Sequence, residues 1–332
     1  MRHAVALAAA LLGCVPGGRC LAAGGSRATT LPTIVLYGHE FVNLRSWAES
    51  AHMTVRWDRT SGEVVLSNRW SSLGFTVDSR RAEIKGVKAW LSVPITPYNQ
   101  GVYVATVDVA TLLNPLLNPA RNKPGQEVRT IALDAGHGGK DPGFQVGSEQ
   151  EKKHTLLLAR QLRTYLQDAG FKVVMTRLTD DYIDRPERPA LARRRQADLF
   201  VSLHFNASEA GKNGTKGVEV YCTTPAGAQS TNVRGEDAPA HAVPANAFDA
   251  KNLLLAYQLQ AALVRSLDAE DRGVKRARFV VLRDAVMPAV LIEGGFMTDP
   301  EEARNIFNPA YRQEMARAIV DGIMAYKRLV ER

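Results

Sequence analysis

The sequence predicts an α/β protein in which a mostly parallel sheet, with helices on both faces, follows a small β-rich α+β domain. One observation is that strand-like and helix-like segments alternate through residues 129–330, as in sheets covered on both faces. Another is that residues 31–118 contain short β-rich runs separated by turn clusters. A chain of 332 residues with 45% hydrophobic content can fill the cores of two domains. Residues 119–128 are predicted to be the linker.

Residues 1–22 are expected to be a secretory signal peptide. Arg2 and His3 precede an apolar stretch at 4–15, which is too short to cross a membrane, and the small residues LAAG follow. This prediction places the mature protein in the periplasm, the cell wall or the medium, with no transmembrane segment. The phrase LLGC also resembles a lipoprotein box, so a lipid anchor at Cys14 is the alternative.

Residues 31–118 are predicted to form short strands around one helix at 42–51. Turn-forming clusters such as DRTSG separate the strands. The strand-like runs lie at 33–36, 54–57, 63–66 and 75–77. Trp57, Trp70 and Trp90 are interpreted as core or inter-strand residues rather than as a surface for stacking on glycans.

Residues 129–330 supply the strands and helices of the larger domain. Strands are predicted near 130–135, 172–176, 198–203, 217–222, 278–282 and 289–292. Helices are predicted near 151–169, 188–196, 250–268 and 309–329. Asn308 caps the last of these helices, and Pro309 lies in its first turn. A stretch rich in Ala, Pro, Gly and Asn at 224–248 has no apolar period, so a long loop is expected there.

Polar side chains follow three of the predicted strands at the point where each strand ends. The apolar run at 131–133 breaks at Gly136 and is followed by His137. In the same way, two other apolar runs lead directly to His204 and to Glu293. Open α/β sheets bind their ligands at the carboxyl ends of the strands. These three side chains are therefore expected to lie along one edge of the sheet.

Glu151 is expected to join this group from a helix. The segment that it opens has apolar residues at helical spacing and ends at Gly170. A carboxylate in the first turn is favoured by the field of the helix N-terminus and can bind a metal ion at the same edge. Glu151 is preferred over Glu149 because the EK-x-x-x-L phrase begins the helix.

These residue types point to metal-assisted hydrolysis. Two imidazoles and one carboxylate fill three positions of a catalytic zinc site and leave the fourth for water. The sequence therefore predicts Zn²⁺ bound by His137, Glu151 and His204, where it would lower the pKa of water and polarise a carbonyl group. Glu293, left unliganded, is predicted to be catalytic, because a free carboxylate can carry the proton from water to a leaving amine.

Neighbouring polar residues are interpreted as structural. Asp141 before Pro142 suits a turn, and Asp134 is interpreted first as structural and second as a group that orients a ligand. Asn206 either donates to substrate or fixes its own turn. The basic run at 185–195 is interpreted as a solvated helix face.

The phrases around these residues resemble the zinc-dependent N-acetylmuramoyl-L-alanine amidases often called amidase type 3. The likeness includes HGG-x-DPG, the EK pair, SLHFNAS, GVEVY, DRGVKRARFVVLR and PAVLIEGGF. It implies that His137, Glu151 and His204 bind zinc and that Glu293 is catalytic. The implied reaction is hydrolysis of the amide between the lactyl group of N-acetylmuramic acid and the L-alanine of the stem peptide. Gly294 and the MTD at 297–299 depart from the usual pattern and put the shape of the local loop in question.

The N-terminal domain resembles the copper amine oxidase N-terminal-like domain, through VNLRSWAES, VRWDRTSGEVVLS and GVYVATVDVATLL. None of these phrases contains an evident copper site, and what the domain binds stays open. Some relatives of the amidases insert a helix that plugs the zinc site until a protein activator withdraws it. The sequence at 224–248 has no helical pattern, so the enzyme is expected not to be blocked by a plugging helix. Whether an activator is needed stays open.

Charge and cysteine content fit a partner in the cell wall. The formal net charge is +8, and loss of Arg2 and Arg19 with the leader leaves +6, which suits an anionic polymer such as peptidoglycan. Nucleic acid is not expected, because no stacking aromatics accompany the basic run. Cys222 is interpreted as a small core residue. The alternatives are a zinc peptidase acting within the stem peptide and a non-catalytic wall-binding protein.

Overall fold

The computed structural model of the chain describes residues 19–21, 30–208, 214–231 and 241–331. Most of the expected leader, including Cys14, lies outside these residues. The described part of the expected leader is β1 (Arg19–Leu21), which pairs antiparallel with the strand that begins at Thr30. Among the described residues, no helix combines the length and the apolar character needed to cross a membrane.

The N-terminal part is a small, mostly β domain, as predicted. Its strands after β1 are β2 (Thr30–Leu36), β3 (His39–Asn43), β4 (Thr54–Trp57), β5 (Glu63–Ser67), β6 (Ser72–Thr76), β7 (Arg81–Ile84), β8 (Val87–Trp90), β9 (Thr96–Tyr98) and β10 (Gly101–Ala105). Helix α1 (Leu44–Ser50) begins after Asn43, whose side chain caps it. A helical stretch closes this part, with α2 (Thr106–Asp108), a π-helix (Val109–Leu113) and α3 (Asn114–Leu117).

Of the three tryptophans that the sequence analysis interpreted as core or inter-strand residues, two contact neighbouring strands or the core, and one does not. Trp57 packs against the core, and Trp90 Nε1 donates a hydrogen bond to the Arg272 carbonyl oxygen over 3.0 Å. Trp70 is 75% exposed, with Arg69 stacked on its ring. The expectation that Trp70 is a core or inter-strand residue was therefore wrong: it lies in the turn between β5 and β6.

The C-terminal part is built on a mostly parallel arrangement of strands. The strands are β11 (Thr130–Ala135), β12 (Gln145–Val146), β13 (Glu149–Gln150), β14 (Lys172–Met175), β15 (Leu199–Asn206), β16 (Val218–Thr223), β17 (Asp271–Ala277) and β18 (Ala289–Phe296). The main sheet runs β14-β11-β15-β18-β16-β17, and β12 and β13 form a separate hairpin. Only the β16–β18 pair in this row is antiparallel.

Helices cover both faces of this sheet, as the sequence predicted. They are α4 (Glu151–Asp168), α5 (Glu187–Arg194), α6 (Asp249–Leu267), α7 (Val280–Arg283), α8 (Pro300–Phe307) and α9 (Pro309–Val330). The larger core joins one face of the strands to α4, α6 and α9. A smaller cluster joins the other face to α5 and α7.

The prediction of a strand at 278–282 was wrong. Strand β17 ends at Ala277, opposite Thr223, the last residue of the neighbouring strand β16. With no further partner the chain turns into α7, where the backbone N–H of Leu282 donates to the Phe279 carbonyl oxygen. The apolar FVVL run is thus one helical turn, whose Val281 is buried against the second face of the sheet.

The sheet continues from the C-terminal part into the N-terminal part. Strand β8 pairs parallel with β17, so that β8 to β4 extend one sheet to eleven strands. Gly273 has φ +88°, and a Cβ there would lie 2.9 Å from the Lys88 carbonyl oxygen, so this approach requires glycine. The Lys88 backbone N–H donates to Asp271 Oδ2 over 2.7 Å. The two parts are therefore joined along a strand edge.

The long loop expected at 224–248 is described only in part. The chain has no helix at 225–231, and a 3₁₀ turn spans Pro244–Phe248. Residues 232–240 lie outside the described ranges, so the expectation that no plugging helix is present there is not tested.

Candidate active site

Three adjacent strands place polar side chains in one row across the sheet, near the carboxyl ends of β15 and β18. His204 of β15 is paired in register with Glu293 of β18, and Glu293 is paired in turn with Glu219 of β16. Paired residues on neighbouring strands project from the same face. His137 lies two residues beyond β11, in the left-handed conformation with φ +59°. The strand ends thus converge as the sequence predicted.

Glu151 lies between the two histidines, at the first position of α4. Its Oε1 is 3.0 Å from His204 Nδ1, and its Oε2 is 3.0 Å from His137 Nε2. One ligand atom from each of the three residues lies within 4.8 Å of the others. The structure therefore brings all three residues predicted to bind metal to one point. Glu149 instead contacts Lys153 and His154.

The charges of this cluster favour an ionised carboxylate. Burial acts to raise the pKa of Glu151, but the imidazoles of His137 and His204 outweigh it and hold the pKa far below its usual range. Burial likewise acts to lower the pKa of His137, but the carboxylates of Glu151 and Asp141 outweigh it and raise that pKa. The three side chains thus attract one another strongly.

Glu293 completes the group from the neighbouring strand. The residue is half-buried, but its Oε2 is enclosed and has no hydrogen-bond partner. Burial raises the pKa of this carboxyl well above its usual value, and the charges of Glu151 and Glu219 raise it further. An enclosed, unpartnered carboxylate oxygen beside two imidazoles and a second carboxylate fits a bound cation.

Two glycines leave the space that the cluster occupies. A Cβ at Gly136 would lie 2.3 Å from His204 Cε1. At Gly143, where φ is +65°, a Cβ would lie 2.5 Å from Glu151 Oε2. Gly143, in the HGG-x-DPG phrase, and Gly136, just before that phrase, therefore allow the backbone to approach the side chains of the site closely.

Gly136→Ala is expected to displace the His204 ring and to lower both metal content and turnover, since displacements of about 1 Å at a site can cost about 100-fold in rate. The amount of metal bound per chain and the rate of the predicted hydrolysis measure the effect. The control is Gly74→Ala in β6, where the new Cβ would meet nothing closer than 3.8 Å. Equal metal content and rate in the two variants would contradict this expectation.

Asp141 lies beside a predicted metal ligand. Its Oδ1 is 2.9 Å from Nδ1 of His137, on the side of the ring away from Glu151. A carboxylate in that position fixes the orientation and tautomer of an imidazole. Asp141 therefore does more than form the turn before Pro142, which was its first interpretation.

The loop that carries His137 is held by buried arginines. Arg188, which is 3% exposed, donates to Asp134 and to the carbonyl oxygens of Ala135 and His137. Asp134, fully buried, has the structural role that the sequence favoured. The interpretation of the basic run at 185–195 as a solvated face was wrong at Arg188, because α5 packs against this loop. Nothing in the spacing of the run distinguishes the buried arginine from the exposed ones.

A cleft of about 1020 Å³ opens in front of these residues. His137, His204 and Glu293 lie on its wall. Residues that the sequence reasoning did not identify line the rest, including Lys140, Tyr182, Arg185, Arg278, Phe279 and Arg283. Arg278 and Phe279 lie in the segment 278–282 that was predicted to be a strand, and Arg283 follows it, so these side chains were not placed at the site. With Arg188, five cationic side chains line the cleft, together with the carboxylates of Asp134, Asp141, Asp184 and Glu293.

Fold and site together define the class of protein: an α/β protein with a hydrolase-type cluster of two imidazoles and two carboxylates at the carboxyl edge of its sheet. Comparison with known families matches residues 131–325 to the N-acetylmuramoyl-L-alanine amidases. Residues 23–118 match the copper amine oxidase N-terminal domain. The chain therefore belongs to the N-acetylmuramoyl-L-alanine amidase family, whose members hydrolyse peptidoglycan, and the predicted family is confirmed.

Individual relatives agree with this assignment. The chain is 35% identical to the uncharacterized protein YqiI of Bacillus subtilis over 60% of this chain and 85% of YqiI. It is 28% identical to the amidase AmiA of Escherichia coli over 76% of this chain and 92% of AmiA. The crystal structure of an N-acetylmuramoyl-L-alanine amidase from Clostridium difficile 630 is 32% identical, with a TM-score of 0.51, over 60% of this chain and 97% of that one.

Proposed function

We propose that the protein hydrolyses the amide bond between the lactyl group of N-acetylmuramic acid and the L-alanine of the stem peptide, with Zn²⁺ bound by His137, Glu151 and His204. The observation that carries this proposal is the convergence of these ligand atoms beside the enclosed carboxylate of Glu293. When bound there, zinc supplies a Lewis acid that polarises a carbonyl and lowers the pKa of water.

Glu293 moves the protons of the reaction. A bond forms between the oxygen of water and the amide carbon, and Glu293 takes the proton that this water loses. The carbon–nitrogen bond then breaks, and the same carboxyl returns the proton to the leaving amine of L-alanine. Burial raises the pKa of Glu293, which is the direction that favours donation of the proton to the leaving amine.

The cationic wall of the cleft supports a negatively charged substrate. Lys140, Arg185, Arg278 and Arg283 line the same cavity as Glu293. Stem peptides carry carboxylates, which these four side chains can bind, and nearby cations raise the local concentration of such a substrate. Asp141 orients His137 on the other side of the site.

For the chain as a whole, we propose a leader at 1–22, an accessory domain at 31–118, a linker at 119–128 and a catalytic domain at 129–330. The protein would then be exported and act in the periplasm or the cell wall. A lipid anchor at Cys14 is the alternative to cleavage, and incorporation of radiolabelled palmitate into the expressed protein would support it. The enzyme is proposed to need no release of a plugging helix, so deletion of 226–246 should not raise its activity severalfold.

The products of purified sacculi test the reaction. Digestion by the zinc-loaded protein should release peptides with a free N-terminal L-alanine, which mass analysis of the muropeptides detects. New D-amino or diamino-acid ends alone would instead indicate a zinc peptidase acting within the stem peptide. Binding of sacculi without any product would indicate a non-catalytic wall-binding protein.

A further inference from the structure

A buried charged cluster lies directly behind the proposed proton carrier. Glu219 of β16 pairs in register with Glu293, on the side of Glu293 opposite to His204. Glu219 is only 1% exposed, so water does not solvate its charge. The row at the edge of the sheet therefore contains a second carboxylate beside Glu293, for which the proposed reaction has no chemical step.

Four donors hold the Glu219 carboxylate in place. Asn206 Nδ2 and the Tyr221 hydroxyl donate to Oε1 over 2.9 and 2.8 Å. Arg272 Nε donates to Oε2 over 2.9 Å, and the Lys275 ammonium contacts the same oxygen. These donors come from three strands, β15, β16 and β17. Because β15 also carries His204, the cluster ties the strand of a metal ligand to the strand beside Glu293.

The cluster also balances charge around Glu293. Glu219 and Glu293 would repel each other as neighbouring carboxylates. Lys275 and Arg272 place two positive charges against Glu219, so the pair of carboxylates is neutralised as a whole. Lys275 is 5% exposed, and a buried cation of this kind is retained only where partners compensate it.

Stability alone is a poor explanation for these charges. Buried ion pairs are often replaced by apolar side chains of similar volume with no loss of stability. Their placement is specific, however, because Glu219 lies in register with Glu293 and contacts Asn206, two residues beyond His204. The cluster therefore lies where it can act on the geometry and charge of the site.

We propose that Lys275, acting through Glu219 and together with Arg272, is a positioning residue that fixes Glu293 beside the metal ligands and offsets the repulsion between the two carboxylates. This proposal rests on the proposed role of Glu293. Lys275 itself does not line the cleft, so it acts on turnover and not on substrate binding.

Lys275→Met tests the proposal in the full-length protein. We expect kcat on a soluble muropeptide amide to fall by about 10- to 100-fold, as for other residues that orient active groups. KM and zinc content should not change, since neither substrate nor metal touches Lys275. Lys275→Arg keeps the charge and should recover most of the lost kcat, which a loss of packing alone would not explain.

Arg276→Met is the matched control. Arg276 is the next residue in β17 and is equally buried, but its guanidinium points away from the site to Thr111 of the π-helix. This variant should lower the melting temperature without a selective loss of kcat. If Lys275→Met and Arg276→Met change kcat equally at matched stability, the positioning role is wrong.

Glu293→Gln distinguishes a failure of this proposal from a failure of the proposed function. If Glu293→Gln keeps full activity, the mechanism built on Glu293 fails and the positioning role fails with it. If Glu293→Gln is inactive while Lys275→Met keeps the wild-type kcat, the proposed function stands and the positioning role is overturned.

Discussion

Glu293→Gln is expected to reduce kcat on purified sacculi by about 100- to 10,000-fold, the usual contribution of a positioned acid–base group. Glutamine has nearly the same size and can occupy the same place on β18, but it cannot accept the proton of water. Zinc content should stay at the wild-type level, because none of the three proposed ligands is altered. Mass analysis of the released muropeptides and metal analysis of the same sample measure both effects.

The control for this substitution is Glu301→Gln. Glu301 lies in the first turn of α8, with its side chain 68% exposed, and does not line the cleft. Its replacement should leave turnover unchanged. Clearing of sacculi by Glu293→Gln at the rate of Glu301→Gln would show that the acid–base role belongs to another group.

The placement of the candidate site residues was predictable because they follow rules that can be recognised in a single sequence. An apolar run that stops at a polar residue shows where a buried strand ends, and the carboxyl ends of parallel strands meet at one edge. This reasoning placed His204 and Glu293 together, and the pairing of β15 with β18 confirms that placement. Glu151 was found by helical period, because it occupies the first position of α4.

The cleft wall and the junction between the two parts were not predictable in this way. The FVVL run has the apolar character of a strand, and only the end of β16 at Thr223 makes it turn into a helix. Likewise, the pairing of β8 with β17 joins residues nearly two hundred positions apart, which no local period encodes. The role of Glu219 was not predicted, because its hydrogen-bond partners come from three strands that meet only in the folded sheet.

The pairing of β8 with β17 connects the N-terminal part to the strand behind Glu293. Strand β17 contributes Arg272 and Lys275 to the cluster behind Glu293, and its other edge is paired with β8. Unpaired strand edges are exposed to wrong association, and β8 protects this one. The N-terminal part therefore has a structural connection to the candidate site.

Removal of zinc is the second change from which a large effect is expected. Chelation should abolish hydrolysis and also lower the melting temperature, because an ion that binds only the folded state at 1,000 times its Kd stabilises that state by about 4 kcal/mol. Without a cation, the charge of Glu151 acts directly on the buried carboxyl of Glu293 and raises its pKa. Activity assays and thermal unfolding of the same chelated sample measure the two losses.

Restoration by different ions identifies the metal. Zn²⁺ should recover both properties, whereas Mg²⁺ should not, because it prefers octahedral oxygen ligands and this site offers two imidazoles. Glu151→Gln is the matched variant, since it keeps the size of the side chain but removes the charge that joins the two histidines. Its melting temperature should respond little to chelator. A wild-type protein that is equally active and equally stable with and without chelator would exclude a metal role for His137, Glu151 and His204.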